Sequence, residues 1–214
     1  MPSEKIVWQS NYIIMRLLKF LSFGIISLMF LFSCGGGSSS QGDTHFQNDQ
    51  FEEAIVAYDN FLKTKPKNLK ALYNKGRAHE ELEDFEMAEE SFKKALQVDP
   101  KNSQILLSLS NLYHKKKSYE LSLMYADNAV AISGATSVAY FMKARALHQL
   151  GNVNEAMREY NAAIKMNPTY GQAFYYRGML NQLIEKNQQA CADFRKAVEN
   201  NFAMAQDAID SYCQ

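Results

Sequence analysis

The 214-residue sequence holds few cysteines (three), prolines (four), tryptophans (one) and histidines (four). No two cysteines stand at the short spacings that zinc sites use, so no metal centre and no cofactor is expected. The prolines and ten glycines are too sparse for a Pro/Gly-rich disordered or fibrous chain. Neither sign of charge is in excess: Lys+Arg and Asp+Glu both count 23, and removing residues 1–33 takes three bases and one acid, leaving 20 against 22. Nucleic-acid binders carry a basic surplus that is lacking here. There is no Gly-rich phosphate loop, no Gly-x-Ser-x-Gly, no His-Glu-x-x-His and no carboxylate pair set apart from the general pattern, so the sequence is not read as an enzyme. Long apolar runs are also missing, yet 47% of residues are hydrophobic, which is enough to build a core.

What is present begins with an address. Phe20 to Phe32 is a 13-residue apolar stretch preceded by Arg16 and Lys19. It is shorter than the roughly 20 residues a membrane-spanning helix needs and has the three-part layout of a secretory signal read from Met15. Residues 1–14 add nothing to that layout, which points to Met15 as the start. Leu31-Phe32-Ser33-Cys34 resembles the lipobox of bacterial lipoproteins, although Phe32 departs from the small or aliphatic residue usual there. The resemblance implies cleavage after Ser33 and acylation, including palmitate-type chains, at Cys34. The alternative, an uncleaved membrane helix extended back to Ile13, is disfavoured because Cys34 leads into Gly35-Gly36-Gly37-Ser38-Ser39-Ser40, a flexible tether. In a host with two membranes, the absence of an acid at Gly35 resembles outer-membrane sorting, facing the periplasm.

The rest of the chain repeats every 34 residues. Pro66, Pro100 and Pro168 fall on this period, with Gly134 in the remaining slot. Small residues recur as Ala54, Ala88, Ser122, Ala156 and Ala190; as Ala95, Ala129, Ala163 and Ala197, preceded by Phe61; and as Gly76, Ser110, Ala144 and Gly178. A ring column reads Tyr58, Phe92, Tyr160 and Phe194, broken by Ala126. Within a unit, Leu72, Gly76 and His79, then Ala88, Phe92, Ala95 and Leu96, share helical faces. Turns such as Glu83-Asp84 and Gly151-Asn152 separate the helices, and Asp99-Pro100 or Asn167-Pro168 closes a unit. Each unit is a helix-turn-helix hairpin that stacks on its neighbours to complete a core.

This pattern resembles the tetratricopeptide repeat, most fully in Leu69 to Asn102 and Ser137 to Tyr170. The resemblance implies an all-α solenoid of about 4.5–5 repeats plus a C-terminal capping helix. The expected order is an upstream-start extension (1–14), a signal peptide (15–33), a tether with a degenerate first helix (34–48), and an array over 49–204. Its repeats span 35–68 (partial), 69–102, 103–136, 137–170 and 171–204, and the cap covers 203–214. Gly35 to Asn48 should supply a short first helix or none, leaving Phe51 to Lys65 alone. Ala126 and Gly134 predict looser packing in the third unit. Lys75, Lys143 and Arg177 share a column beside a small residue and are read as structural, their stems lying on apolar surface.

The cap, Ala203 to Tyr212, sets Ala203, Met204, Ala208, Ile209 and Tyr212 against polar Gln206, Asp207 and Asp210. Cys191 lies 11 residues before Phe202 in the intervening turn and Cys213 lies 11 after it, so an antiparallel hairpin brings them together. A disulfide suits an exported protein; the other reading is two free thiols. The run from Ala190 to Phe194 with Tyr212-Cys213 also resembles the closing segment of exported bacterial repeat proteins.

In the tetratricopeptide family the concave face, lined by the first helices, holds peptide segments. The corresponding columns here are Tyr73, Leu107, Phe141 and Tyr175, an apolar ladder, and Arg77, Asn111, Arg145 and Met179 beside it. Aromatic and Arg side chains are types in which binding energy concentrates. The family's pocket for a chaperone carboxyl terminus would fall on Leu107, Asn111, Met142, Gln172 and Tyr176, where only Asn111 suits, so chaperone docking is disfavoured. His114 and His148, also 34 apart, are about one helix layer (~10 Å) from each other, too far for one metal, and read as solvated surface; His79 reads as interior.

The reading is a lipid-anchored adaptor that holds a protein or peptide partner in its groove, in envelope assembly or the recruitment of cell-wall enzymes. No nucleic acid or small-molecule substrate is expected. The alternative is a hydrolase or carbohydrate-processing lipoprotein using groove residues, for which no acid–base constellation stands out.

Overall fold

A computed structural model describes residues 39–213. The signal segment, both candidate start residues and Cys34 lie outside the described residues. Among the described residues there are eleven helices and no strand: α1 (Ser39–Gln47), α2 (Phe51–Thr64), α3 (Leu69–Glu81), α4 (Phe85–Val98), α5 (Ser103–Lys115), α6 (Tyr119–Val130), α7 (Ser137–Gln149), α8 (Val153–Met166), α9 (Gly171–Leu183), α10 (Asn187–Glu199) and α11 (Ala205–Tyr212). Successive helices pair into five hairpins, each packed on the next, with α11 against α10. The solenoid expected from the 34-residue period is what the chain forms.

Each hairpin turns through one left-handed residue. Asp49, Glu83, Lys117, Gly151 and Glu185, spaced by 34, have φ between 56° and 77°. The next backbone N–H then reaches back five residues, as from Asp84 to the His79 carbonyl (2.9 Å) and from Ser118 to that of Tyr113 (2.8 Å). This satisfies helix-end carbonyls that would otherwise be orphaned. Only Gly151 escapes the steric cost of a Cβ there, roughly 1–2 kcal/mol at the other positions. At the opposite ends, the Asn68 and Asn102 side chains cap α3 and α5 by accepting from Ala71 N (2.9 Å) and Ile105 N (3.2 Å).

Inside a hairpin a small residue on the first helix receives a ring from 16 residues on. A methyl on Gly76 would sit 2.6 Å from Phe92 Cδ1, and one on Gly178 would sit 2.7 Å from Phe194 Cε1. The first hairpin obeys the same rule: of the two expected outcomes, a short first helix or none, the chain forms the short one, so α2 is not alone. Gly42, itself 34 before Gly76, lies in α1 with its Cα face against the buried Tyr58 ring. Tyr58 donates to Asp43 Oδ1 (2.9 Å), and Asp43 also receives Lys70 Nζ (2.7 Å) and Asn74 Nδ2 (2.8 Å) from α3. A nine-residue helix, polar and small apart from Phe46, is thereby held on the array, and Ser39 and Ser40 belong to it rather than to the tether.

The third hairpin solves the same contact differently. Ser110 and Ser122 exchange hydroxyl-to-carbonyl hydrogen bonds (2.9 and 2.8 Å), Ala126 is fully buried, and the ring has moved one place to Tyr125, stacked on Tyr113 at 5.4 Å. Leu109 and Leu112 are fully buried beside it.

Ion pairs bind neighbouring hairpins. Lys75 reaches Asp59 (2.6 Å), Lys143 reaches Asp127 (2.9 Å), and Arg177 donates to Asn161 (2.7 Å), each partner lying 16 residues earlier. The structural reading of that column agrees with these contacts. Glu89 on α4 accepts from Tyr113 (2.8 Å), Lys116 (2.9 Å) and Lys93 (2.7 Å). Burial opposes its charge, but the three hydrogen bonds prevail and hold its carboxyl at about 2. A carboxylate with a folded pKa below its unfolded one contributes stability above the unfolded value, lost as pH falls through the folded one. Glu89→Gln is therefore expected to cost on the order of 2 kcal/mol at pH 7. Thermal melts should show that difference shrinking between pH 4.5 and 2.

At the far end, Cys191 on α10 and Cys213 after α11 form a disulfide with a Cα–Cα distance of 5.6 Å. Closing a loop of this length contributes about 3 kcal/mol by chain entropy. The cap buries Ala205 and Ala208, but its helix begins two residues later than expected, and Ala203, Met204 and Tyr212, expected on its apolar side, are exposed.

Candidate functional site

The first helices of hairpins two to five, α3, α5, α7 and α9, border a groove of about 420 Å³. Tyr73, Leu107 and Met142 supply its apolar surface and Gln104, Ser108, Asn111 and Gln172 its polar groups. A recess of about 570 Å³ shares Tyr73 and Gln104 with it and adds Lys70, Asn74 and Arg77. Two other recesses, one at Pro66 and Leu72, the other at Pro100 and Leu106, sit at equivalent repeat positions. They are products of stacking rather than a distinctive site.

A hydrogen-bonded chain crosses the groove from helix to helix. Lys115 pairs with Glu80 (2.7 Å), Asn111 Nδ2 donates to Glu80 Oε1 (3.0 Å), and Arg145 Nη2 donates to Asn111 Oδ1 (3.0 Å). Tyr73 and Ser108 hydroxyls meet at 3.2 Å. Arg145, 9% exposed, lies 5.8 Å from the Phe141 ring centroid, and its Nε is buried with no hydrogen-bond partner among the described residues. Burial lowers its pKa, with Tyr176, Tyr160 and Tyr170 working the other way. Burial pushes the Tyr170 hydroxyl up to about 12, so it is neutral at physiological pH.

The two columns singled out in the sequence do not face the groove uniformly. Tyr73, Leu107, Asn111 and Arg145 line it. Phe141 does not: it is 1% exposed, enclosed by Tyr170 (5.1 Å), Tyr176 (5.6 Å) and Tyr160 (6.1 Å). The apolar ladder is thus interrupted where neighbouring rings close over it. Tyr175 packs on Phe202 (5.1 Å) and Phe194 (5.9 Å), Met179 lies against the cap-end core, and Arg77 covers the Phe46 ring at 4.6 Å. Gln104, Ser108, Met142 and Gln172 were not in those columns. Met142 and Gln172, with Leu107 and Asn111, occupy four of the five positions of the chaperone-type pocket, so that geometric register marks the groove although its chemistry differs.

The histidines are corrected too. His114 and His148 are half-buried rather than solvated, tilted on Tyr119 (5.3 Å) and edge-on to Tyr160 (6.2 Å). Burial and the charge of Arg145 hold His114 at about 4, and burial lowers His148 as well, so both are neutral at pH 7. His79 is interior as expected, its Nδ1 3.1 Å from Asp84. Among the described residues no three metal-ligating side chains gather, and no helix is long and apolar enough to cross a membrane.

Stacked hairpins presenting a mixed apolar and polar groove define a helical-repeat interaction scaffold. Residues 69–102 match the tetratricopeptide repeat model and residues 144–184 a second TPR repeat model, so these two segments carry tetratricopeptide repeats. No curated protein sequence matches the chain. Among solved structures it is similar to MamA from Desulfovibrio magneticus RS-1 (21% identity, TM-score 0.69, covering 78% of this chain and 93% of that one). It is also similar to YrrB, a TPR protein with an unusual peptide-binding site (23%, TM-score 0.65, 79% and 88%). A third is PilW, a type IV pilus biogenesis factor (20%, TM-score 0.69, 76% and 75%). These likenesses concern the fold.

Proposed function

We propose that the protein is a lipid-anchored adaptor of the bacterial envelope, tethered through Cys34 to the outer membrane, facing the periplasm, and holding an extended peptide segment of a partner protein in the groove of α3, α5, α7 and α9. The observation that carries this reading is the groove itself. Apolar Tyr73, Leu107 and Met142 alternate there with Gln104, Asn111 and Gln172, which can pair with a peptide backbone. That YrrB is described as having a peptide-binding site supports the same use of the fold. The anchor reading rests on the lipobox resemblance and the Gly/Ser stretch after it. More than one acyl chain gives durable anchoring, since each buried methylene contributes about 0.8 kcal/mol. Anchoring concentrates the groove at the membrane; the groove selects what is recruited, such as an assembly component or a cell-wall enzyme.

Two measurements test this. Cells fed radiolabelled palmitate are expected to label the protein, and Cys34→Ser should abolish the label and leave the signal uncleaved; labelling that persists in the variant rejects the lipid site. In crosslinking to partners in intact envelopes, the combined Tyr73→Ala, Leu107→Ala and Gln172→Ala variant should lose at least tenfold of the captured partner. Equal capture moves the binding surface elsewhere.

A further inference from the structure

Arg145 is the one buried Lys or Arg among the described residues. Three less buried cations have a carboxylate close by: Lys75 has Asp59 at 2.6 Å, Lys143 has Asp127 at 2.9 Å, and Lys116 has Glu89 at 2.9 Å. Arg145 has none within ion-pair distance among the described residues. Its polar contact is the neutral Asn111 oxygen, its nearest ring is that of Phe141, and its Nε has no acceptor. The carboxylate that lines the same groove, Glu80, is already engaged by Lys115 and Asn111. Taking a guanidinium out of water without a counter-charge costs several kcal/mol, and folded proteins ordinarily avoid it. The cost is intelligible if the missing anion arrives with a ligand, as a binding site traded against stability.

We infer that Arg145 is an anion receptor in the floor of the groove, selecting partner segments that present an Asp or Glu side chain to its guanidinium where it lines the groove. The inference rests on the groove reading and specifies its partner class: an acidic peptide. The single positive charge of Arg145 matches a carboxylate monoanion. A phosphate dianion would need a second cation, and His114, the nearby titratable group, is neutral at pH 7. Asn111 holds one guanidinium nitrogen in place, so the planar fork is oriented before the ligand arrives.

The test uses the full chain in mild detergent. The probes are N-acetylated, C-amidated decapeptide libraries with a fixed central Asp or Glu, matched libraries carrying Asn or Gln there, and a third carrying phosphoserine. The acidic libraries are expected to bind at least tenfold more tightly than the amide libraries, Arg145→Met should erase that ratio, and Arg145→Lys should retain part of it. The melting temperature of Arg145→Met without peptide should equal or exceed that of the parent, because an unpaired buried charge has been removed; a structural role would lower it. Equal binding of acidic and amide libraries overturns the anion receptor while leaving the groove reading intact. An acid preference that survives Arg145→Met, a lowered melting temperature with the preference unchanged, or stronger binding of the phosphoserine library also overturns it. Absence of binding by every library overturns the groove reading together with the receptor.

Discussion

Phe92→Ala is expected to destabilise the protein by about 3–5 kcal/mol, and Gly76→Ala by about 1–3 kcal/mol, for opposite reasons at one contact. The Phe92 ring is fully buried and occupies the space that the absent Gly76 side chain leaves free. Truncating the ring opens a cavity; adding a methyl 2.6 Å from Cδ1 overfills the site. The two changes are coupled, so their combination should cost less than their sum, by 1 kcal/mol or more in a double-mutant cycle measured by urea unfolding. The third hairpin already contains the compensated arrangement, with Ser110 opposite Ala126. Additive single effects would mean that the glycine and the ring do not share one space. Because stability in a stacked array is close to a sum of unit and interface contributions, the loss should be largest around α3 and α4 and visible as local hydrogen exchange there.

That contact also shows what could be read from the residues alone. A 34-residue column of small side chains identifies where helices touch, and the glycines at 76 and 178 and the rings at 92 and 194 carried enough information to place each hairpin. The same column extended to Gly42, but a polar, Gly/Ser-rich surrounding hid α1, whose attachment depends on Asp43 meeting Tyr58, Lys70 and Asn74 across helices. Periodicity assigns a face to each position but not the size of the neighbours around it. Phe141 shares a column with the groove-lining Tyr73 and Leu107, yet Tyr170 and Tyr176 enclose it. The spacing hides the burial of His114 and His148 for the same reason, since the rings beside them come from other elements, Tyr119 and Tyr160. Arg145 was named as a groove residue, but its lack of a carboxylate is a three-dimensional fact that spacing does not encode.

Arg177→Met should lower stability by about 3–5 kcal/mol, because it strands a buried carboxylate. The Asp193 side chain is 7% exposed and accepts from Arg177 Nε (2.9 Å), from a second guanidinium nitrogen, and from Asn181 Nδ2 (2.9 Å). Arg177 also donates to Asn161 on the preceding hairpin and lies 5.4 Å from the Phe174 ring centroid, so its fixed fork joins α8, α9 and α10. Met fills much of the stem volume and leaves Asn181 as Asp193's remaining side-chain donor. Replacing both charged residues, as Arg177→Met with Asp193→Leu, removes the stranded charge and should recover most of the loss, down to about 1 kcal/mol. Arg177→Lys should fall between, since an ammonium supplies charge without the planar pair of donors. Chemical denaturation of the four proteins decides the matter. If the double variant is as unstable as the single one, the cost lies in lost packing and inter-hairpin contacts rather than in the unpaired carboxylate. Arg145 presents the inverse case at the groove: a buried cation lacking its acid is tolerated there, whereas at the α9–α10 contact every donor has been supplied by the chain itself.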